Sequence, residues 1–286
     1  MISKVSLFLI VTAFSTLTIA APLIQVSSGL DQTIDEVVDR VEPGTVVILG
    51  ESHASAGANN LDQINQVEFI KALTEKYDNV HVGMEFINYT VQDSVDQYLR
   101  GELTDDEFKA AVGWGGNPFD EYQKQLLLPL EVMGWTHALN APRTLTRAIA
   151  KKGLEDLTAE ELSLMPPQFS LGSDIYKKRF YEIMGVTHDD GNAVYKNMFA
   201  AQCTWDDTMA WKALEKFEAN PQQVMVVIVG NFHARYGGGL EDRLRARGHN
   251  KIMTIVQVDS NQLSDQEKLD LIVPHKDYGV IADYIW

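Results

Sequence analysis

The sequence contains one cysteine, Cys203, among 286 residues, so an internal disulfide is excluded as a source of stability. A chain of this length can bury a large apolar core, and we expect the fold to be held together by packing. Cys203 lies within a helical pattern. We interpret it as a small buried hydrophobe rather than a nucleophile.

Positive charge is also scarce, because 24 Lys and Arg residues stand against 40 Asp and Glu residues, for a formal net charge of −16. Surfaces that bind nucleic acid or anionic lipid need clustered Lys and Arg. We therefore predict no nucleic-acid partner. The acidic balance identifies no partner by itself, since an acidic surface most often serves solubility.

The apolar stretch at the N-terminus, residues 5–20, is shorter than the roughly 20 residues that a membrane-spanning helix needs. Lys4 precedes it, and Thr18 to Ala20 supplies small residues before a cleavage point. We interpret residues 1–20 as a cleaved signal peptide and residues 21–286 as a single α/β domain in the periplasm or outside the cell. With no Cys near the cut, we expect no lipid anchor there.

Several catalytic and nucleotide-binding motifs are missing. The chain lacks Gly-x-x-x-x-Gly-Lys-Ser/Thr and Gly-x-Gly-x-x-Gly, so nucleotide binding is not supported. It also lacks the His-Glu-x-x-His helix of zinc proteases. Ser52 lies in Gly-Glu-Ser-His rather than Gly-x-Ser-x-Gly, which gives little support to serine catalysis.

What the chain does contain is a repeated pattern in which a buried strand ends in a chemically capable side chain. Residues 46–53 and 224–233 are β-branched apolar runs that end in Gly-x-x-His, and residues 80–85 end in a carboxylate. Ligands of open α/β sheets bind outside the carboxyl ends of the strands. The side chains expected at that edge are Glu51, His53, Glu85 and His233.

The order of elements predicts an α/β fold with a mostly parallel central sheet flanked by helices, because a helix joins the first two strands as a crossover. We expect a helical insertion at about 90–132 and an irregular lid at about 154–190. Further strands are predicted at 135–139 and 253–258. Further helices are predicted at 31–41, 61–77, 119–132, 143–152, 175–184, 192–219 and 240–247.

The four strand-end side chains allow two kinds of chemistry. Two His and two Glu are a plausible set of ligands for Zn or Mn. They also suit a metal-free acid/base pair in which Glu orients a His. On the long helix, Gln202 and Met209 share one face with Asp206, which suggests a face that touches the crevice.

Six ordered motifs along the chain form one pattern, namely Gly50–His53, Gly83–Glu85, Gly113–Trp114 with Tyr122, Leu139–Arg143, Ala201–Gln202 with Trp205–Asp206 and Met209–Ala210, and Gly230–Gly237. With these motifs the chain resembles the ChaN-like haem-binding uptake family, within the superfamily that includes Tiki, TraB and erythromycin esterase proteins. The resemblance covers residues 45–258. It implies an α/β fold and an exported haem-binding protein for iron acquisition, and haem iron is held by His or Tyr in many proteins. The haem-binding residues it implies are His53, His233, Tyr236, Arg143, Gln202 and Met209.

One departure from the family concerns Asn59 and Asn60, which stand where family members usually carry further histidines. We expect this chain to bind haem more weakly or differently in consequence. The partners implied are haem, the outer-membrane haem-uptake machinery and a second copy in a homodimer. The alternative is a metal-dependent hydrolase, peptidase or esterase-like, that uses the strand-end Glu and His residues. A third reading is a structural or partner-binding module.

Overall fold

An eight-stranded, mostly parallel sheet forms the centre of the molecule, seen in a computed structural model that describes residues 22–186, 191–258 and 263–286. The predicted signal peptide lies outside the described residues. The strand order is β2-β1-β8-β7-β3-β6-β4-β5, in which the six strands from β8 to β5 run parallel and β1 and β2 add an antiparallel edge. The strands are β1 (Leu23–Gln25), β2 (Leu30–Gln32), β3 (Val46–Glu51), β4 (Val80–Asn88), β5 (Thr136–Asn140), β6 (Val224–Gly230), β7 (Ile252–Val256) and β8 (Tyr284–Ile285).

Helices cover both faces of this sheet. The α-helices are α1 (Ile34–Val38), α2 (Leu61–Lys76), α3 (Gln92–Leu99), α4 (Asp105–Val112), α5 (Gln123–Leu127), α6 (Arg143–Lys152), α7 (Ala159–Ser163), α8 (Asp174–Ile183), α9 (Ala193–Ala219), α10 (Asn231–Ala234), α11 (Leu240–Ala246) and α12 (Asp265–Ile272). Short 3₁₀ turns lie at Tyr89–Val91, Phe119–Glu121, Leu128–Glu131 and Arg235–Gly237. No helix in the described ranges has the length and apolar character to cross a membrane.

Side-chain alternation along the strands builds two cores, one on each face. In β6, Val226 and Ile228 pack with α2, while Val227 and Val229 pack with α9 and α11. Both faces of β6 are apolar along its whole length, which is typical of a central parallel strand. The predicted α/β fold with a mostly parallel sheet is confirmed.

The main departures from the predicted elements occur where the local pattern is short or interrupted. The strands β1, β2 and β8 are two or three residues long and were not predicted. The predicted helix 119–132 is divided into a short α5 between two 3₁₀ turns, because Pro129 has no N–H to continue an α-helix.

The two predicted insertions contact different parts of the sheet edge. Residues 90–132 form α3, α4 and α5, and the turn from Trp114 to Asn117 faces the carboxyl ends of the strands. In the region 154–190, α8 buries Tyr176 and Arg179 against the turn that follows β6. Residues 187–190 lie outside the described residues.

A close approach of β3 and α10 sets the spacing of the strand-end turns. Glu51 of β3 is the register partner of Gly230 of β6. A Cβ atom on Gly50 would lie 2.7 Å from Asn231 Oδ1 and 2.8 Å from Ala234 Cβ, so only glycine fits there. The two Gly-x-x-His turns are therefore held side by side.

Candidate functional site

The carboxyl ends of β3, β4 and β6 bring the four predicted side chains into one site. The backbone N–H of Gly230 donates to Glu85 Oε2 over 2.6 Å. A Cβ atom on Gly230 would lie 3.1 Å from His53 Cε1 and 3.7 Å from Glu85 Oε2, so His53 and Glu85 both lie against the end of β6. His233 then reaches Glu85, since its Nε2 lies 3.2 Å from Glu85 Oε1.

His53 is a half-exposed residue of the site with one ring nitrogen bonded to a carboxylate. Its Nδ1 contacts Glu51 Oε1 at 3.0 Å, and within the described residues no hydrogen bond reaches Nε2. The side chain is 46% exposed, and its ring packs edge-on against Phe86 with centroids 5.1 Å apart. The hydrogen bond to Glu51 raises the pKa of His53. Partial burial opposes this shift and the charges of Glu85 and Glu51 add to it, so the pKa is raised overall.

Glu51 is fully occupied by hydrogen-bond donors. Its Oε1 accepts from Tyr122 Oη at 2.6 Å as well as from His53, and its Oε2 accepts from Gln63 Nε2 at 2.7 Å and Gln66 Nε2 at 2.6 Å. The side chain is completely buried. A carboxylate saturated in this way has no lone pair directed at the cleft, so it orients His53 and does not reach a ligand.

His233 is buried between two carboxylates. Its Nδ1 lies 2.6 Å from Asp206 Oδ1, and its Nε2 faces Glu85. Burial disfavours the charged imidazolium, but the negative charges of Glu85 and Asp206 outweigh it and raise the pKa of His233 to about 10. Burial would raise the pKa of Glu85, yet His233 and the Gly230 N–H lower it to about 2. The three side chains therefore form a buried ion-paired cluster.

Residues of α8 and α9 form hydrogen bonds with this cluster. Tyr176 Oη donates to Asp206 Oδ2 over 2.7 Å, and Gln202 Nε2 lies 3.2 Å from both Tyr176 Oη and His233 Nδ1. Burial raises the pKa of Tyr176 well above its ordinary value, together with the charge of Asp206. Arg179 donates to the carbonyl oxygens of Phe232 and Arg235, which clamps the turn that carries His233.

A cleft of about 390 Å³ opens above these groups. Phe86, Trp114 and Trp205 give it aromatic walls, and Arg143 lies at its exposed rim with no ion pair among the described residues. Trp205 Nε1 is buried without a hydrogen-bond partner in the described structure. The cleft is lined by His53, Glu85, Phe86, Asn88, Trp114, Gly115, Gly116, Asn117, Asn140, Arg143, Trp205 and His233.

Three of the residues predicted to bind haem do not line this cleft. Gln202 is buried behind His233, where it contacts Tyr176. Met209 is fully buried in the core beneath the sheet with Leu139 and Val229. Tyr236 lines a separate cavity of about 170 Å³ and packs against Tyr278 with ring centroids 5.4 Å apart. Its backbone is left-handed, with φ of 64°, which directs the side chain away from the His233 turn.

Asn60 has a local structural role in this chain. Its Oδ1 accepts from the Ser55 N–H at 3.0 Å and its Nδ2 donates to the Ser55 carbonyl at 3.2 Å. It thereby closes the loop between β3 and α2. Asn59 is exposed.

Sequence reasoning missed the groups that orient the histidines. Gln63 and Gln66 are buried amides on the apolar face of α2, and a polar pair at that spacing among Val67 and Ile70 was the available signal. Tyr176 lies in the irregular region, where no periodic pattern distinguished it from other aromatic residues.

The donor atoms do not suit a divalent metal. In the ranges that the structure describes, no group of three or more His, Cys, Asp and Glu residues is arranged to hold a metal ion. The atoms of Glu51 accept four hydrogen bonds, and both ring nitrogens of His233 face carboxylates. A haem group fits better, because the cleft offers an imidazole for the iron, aromatic walls for the flat ring and a cation for the propionates.

The fold and site thus define an α/β protein whose ligand cleft lies at the carboxyl ends of parallel strands. A family model described as haem-binding uptake, Tiki superfamily, ChaN matches residues 37–244, more than half of the chain. The chain belongs to this ChaN family of haem-binding uptake proteins. No curated protein gives a significant match.

Solved structures share the fold at low sequence identity. The structure of ChaN of Campylobacter jejuni, described as showing cofacial haem binding, has a TM-score of 0.65 at 14% identity and covers 93% of this chain and 95% of that chain. A mutant erythromycin esterase, EreC, in its open conformation has a TM-score of 0.47 at 14% identity and covers 83% and 76%. The type III effector HopBA1 has a TM-score of 0.44 at 14% identity and covers 88% and 91%.

Proposed function

We propose that this chain binds haem in the strand-end cleft, with His53 Nε2 as the axial ligand to the iron. The observation that carries the proposal is that His53 lines the cleft with its Nδ1 held by Glu51, while its Nε2 has no hydrogen-bond partner within the described residues. Histidines that ligate metals commonly bond a carboxylate through the other ring nitrogen, which fixes the tautomer and strengthens the donor. When bound, haem supplies the iron that this nitrogen coordinates.

The walls of the cleft support a flat, apolar ligand with an acidic edge. Phe86, Trp114 and Trp205 offer aromatic surface, and the cavity of about 390 Å³ lies within the usual range of small-molecule sites. Arg143 at the rim is the cation placed to pair with a propionate.

In this proposal His233 does not ligate iron. Its Nδ1 and Nε2 are both engaged by carboxylates, so coordination would require one of two buried ion pairs to open. We assign it the role of holding Glu85 and Asp206 in place at the floor of the cleft.

We further propose that the protein is exported, serves iron uptake in the periplasm and binds haem as a homodimer. The apolar segment at residues 5–20 supports export. The half-exposed edge of His53 supports a second copy that covers the cleft, and the cofacial haem binding described for the Campylobacter relative is consistent with two clefts facing each other.

The second candidate function is a metal-free hydrolase, and the Glu51–His53 pair is the observation that favours it. A His oriented by a buried carboxylate, with Nε2 free, has the arrangement of a general base that activates water. The adjacent imidazolium of His233 would stabilise negative charge. Turnover of ester substrates by the haem-free protein, abolished by His53→Ala, would favour this function over haem binding.

The test is a ferric haem titration of residues 21–286, followed by absorbance in the Soret region. We expect a saturable, shifted band that His53→Ala abolishes. His275→Ala is the matched control, since this exposed histidine lies outside the cleft and packs against Tyr278. A band that survives His53→Ala and is lost in His275→Ala would move the ligand to the Tyr236 cavity and contradict the proposal.

A further inference from the structure

We propose that a second cavity, between α6, α8 and the start of α9, binds a short apolar peptide whose two charged termini are free. The volume of this cavity is about 530 Å³, which exceeds that of the strand-end cleft and lies within the usual range of small-molecule sites. The inference goes beyond haem binding and does not depend on it, because the two cavities share no lining residue.

Two helices connect the second cavity with the cleft. Arg143, the first residue of α6, lies at the rim of the cleft, and Lys152, the last residue of α6, lines the second cavity. A helix of this length spans roughly 15 Å. Along α9, Trp205 lines the cleft, while Phe199 and Ala200 line the second cavity. The two cavities are therefore neighbours, but they are separate binding spaces.

One wall of the second cavity is apolar. Phe199 and Ala200 are buried, and Leu154 beside them is half-buried. Leu171 also lines the cavity, and 50% of its surface is exposed. A ligand group that covers Leu171 removes apolar surface from water, which favours binding when that group is itself apolar. The ligand should therefore carry apolar side chains.

The rim of this cavity carries carboxylates that have no cationic partner. Glu155, Asp156 and Asp174 all line the cavity and are exposed. Within the described residues, none of the three side chains takes part in an ion pair or a side-chain hydrogen bond. These carboxylates are available to pair with a positive group of a ligand.

The ammonium groups at the rim differ in their surroundings. Lys152 Nζ lies 2.6 Å from Glu161 Oε2, and Lys177 Nζ lies over the ring of Tyr181, 5.2 Å from its centroid. Lys196 is exposed, and its side chain has no hydrogen bond or ion pair in the part of the chain that the structure describes. Lys196 is therefore the cation that we expect to receive a carboxylate.

Charges of both signs beside an apolar wall define the class of ligand. An apolar anion such as a fatty acid would meet the three carboxylates, and an apolar cation would leave Lys196 without a partner. A short apolar peptide carries an ammonium group and a carboxylate in one molecule. The negative end of the α6 dipole and the positive end of the α9 dipole also lie at this cavity. The peptide carboxylate pairs with Lys196, and the peptide ammonium group pairs with Glu155 and Asp156.

The test is calorimetric titration of the mature chain with the tripeptide Leu-Leu-Leu. The N-acetylated and the C-amidated forms of the tripeptide each lack one terminal charge. We expect saturable binding of the free tripeptide and about two- to fivefold weaker binding of each blocked form, because exposed ion pairs contribute modestly. Equal affinities for all three forms would overturn the assignment of the charges, and no saturable binding of the free tripeptide would overturn the proposal.

Charge-removing variants assign each terminus to its partner. Lys196→Met should weaken binding of the free tripeptide by about two- to fivefold and leave the affinity for the C-amidated form unchanged. Asp156→Asn should weaken binding of the free tripeptide and leave the affinity for the N-acetylated form unchanged. Lys151→Met and Glu160→Gln are the controls, since both residues are exposed and lie outside the cavity. Equal losses in variants and controls would indicate a general effect of net charge and overturn the assignment.

Filling the cavity separates this site from the cleft. Ala193, the exposed first residue of α9, lines the second cavity and not the cleft. Ala193→Trp should abolish binding of the tripeptide and leave the haem titration unchanged. Displacement of the tripeptide by haem in a competitive manner would place the peptide in the cleft and overturn the proposal. Peptide binding by a chain that binds no haem would contradict the proposed function alone.

Discussion

Two histidine pairs occupy opposite ends of the same sheet and have opposite surroundings. At the carboxyl end, His53 and His233 contact the carboxylates Glu51, Glu85 and Asp206. At the amino end, His81 and His137 stack on each other with ring centroids 5.1 Å apart, and His81 Nδ1 lies 2.8 Å from His137 Nε2.

The two pairs therefore have pKa shifts of opposite sign. Burial and the nearby positive charge of Lys216 lower the pKa of His81 to about 4, and burial and the charge of His81 lower that of His137 to about 2. The pKa values of both His53 and His233 are raised. A histidine at the end of a strand is thus not itself a signal of chemistry, since the carboxylates of β3, β4 and α9 decide which pair carries charge.

Hydrogen bonding at the amino end agrees with two neutral rings. Asn79 Oδ1 lies 2.6 Å from His81 Nε2, so that nitrogen is the donor and Nδ1 accepts from His137 Nε2. This leaves His137 Nδ1 buried without a partner among the described residues. The pair fills space in the sheet and does not offer a ligand site.

The largest expected effect on stability comes from removing His233, the cation at the centre of the buried cluster. His233→Ala leaves Glu85 and Asp206 buried without their cation, which should lower the free energy of unfolding by about 3–5 kcal/mol at neutral pH. Urea unfolding measures this. His53→Ala is the control and should cost less than about 1 kcal/mol, because the His53 side chain is half exposed.

The next effect concerns the contact that holds the two turns together. Gly50→Ala would force its new methyl group against Asn231 and Ala234, and we expect a loss of about 1–3 kcal/mol from overpacking. Gly116→Ala, at an open position of the cleft with no neighbour within 4 Å, should change stability by less than about 1 kcal/mol. Equal effects at the two glycines would contradict the account of this contact.

The pH dependence of stability should separate the two pairs. The pKa of His233 is raised above 6.5, so its contribution is complete below pH 6.5 and is lost as the pH rises toward 10. The pKa values of His81 and His137 are lowered, so the unfolded chain binds protons that the folded chain excludes, and stability falls as the pH drops from 6.5 toward 4.

Urea unfolding between pH 4 and pH 10 tests this directly. His137→Phe keeps an aromatic ring against His81. We expect this variant to reduce the fall in the free energy of unfolding below pH 6.5 (the acid limb) and to leave the fall above pH 6.5 (the alkaline limb) unchanged. His233→Gln should flatten the alkaline limb alone. The opposite assignment of the two limbs would show that the charge states are reversed.

The smallest effect is expected at the rim of the cleft. Arg143→Ala should weaken haem binding by about two- to fivefold, because an exposed ion pair contributes no more than about 1 kcal/mol. Arg147→Ala, one turn further along α6 and outside the cleft, removes the same charge as a control. An equal loss in both variants would indicate a general effect of net charge.

The sequence was sufficient to predict the fold class and the strand-end position of Glu51, His53, Glu85 and His233, because parallel strands deliver their following residues to one edge. It did not predict that Gln63 and Gln66 donate hydrogen bonds to Glu51. The orientation of a helix side chain depends on the tertiary contacts around it, which the sequence pattern does not specify.

Two further residues show the limit of periodicity. Met209 follows the same helical spacing as Gln202, yet α9 is long enough that its face leaves the cleft and enters the core beneath the sheet. Tyr236 adopts a left-handed backbone that no pattern indicates for a non-glycine residue, and this directs it to another cavity.

The central claim is that His53, and not His233, presents the ligand nitrogen. Ferric haem binding to His53→Gly, measured in the presence and absence of added imidazole, tests it most directly. We expect the Soret band of the parent complex to be lost in the variant and restored by imidazole that enters the space left by the ring. An unchanged band in His53→Gly without imidazole would contradict the account.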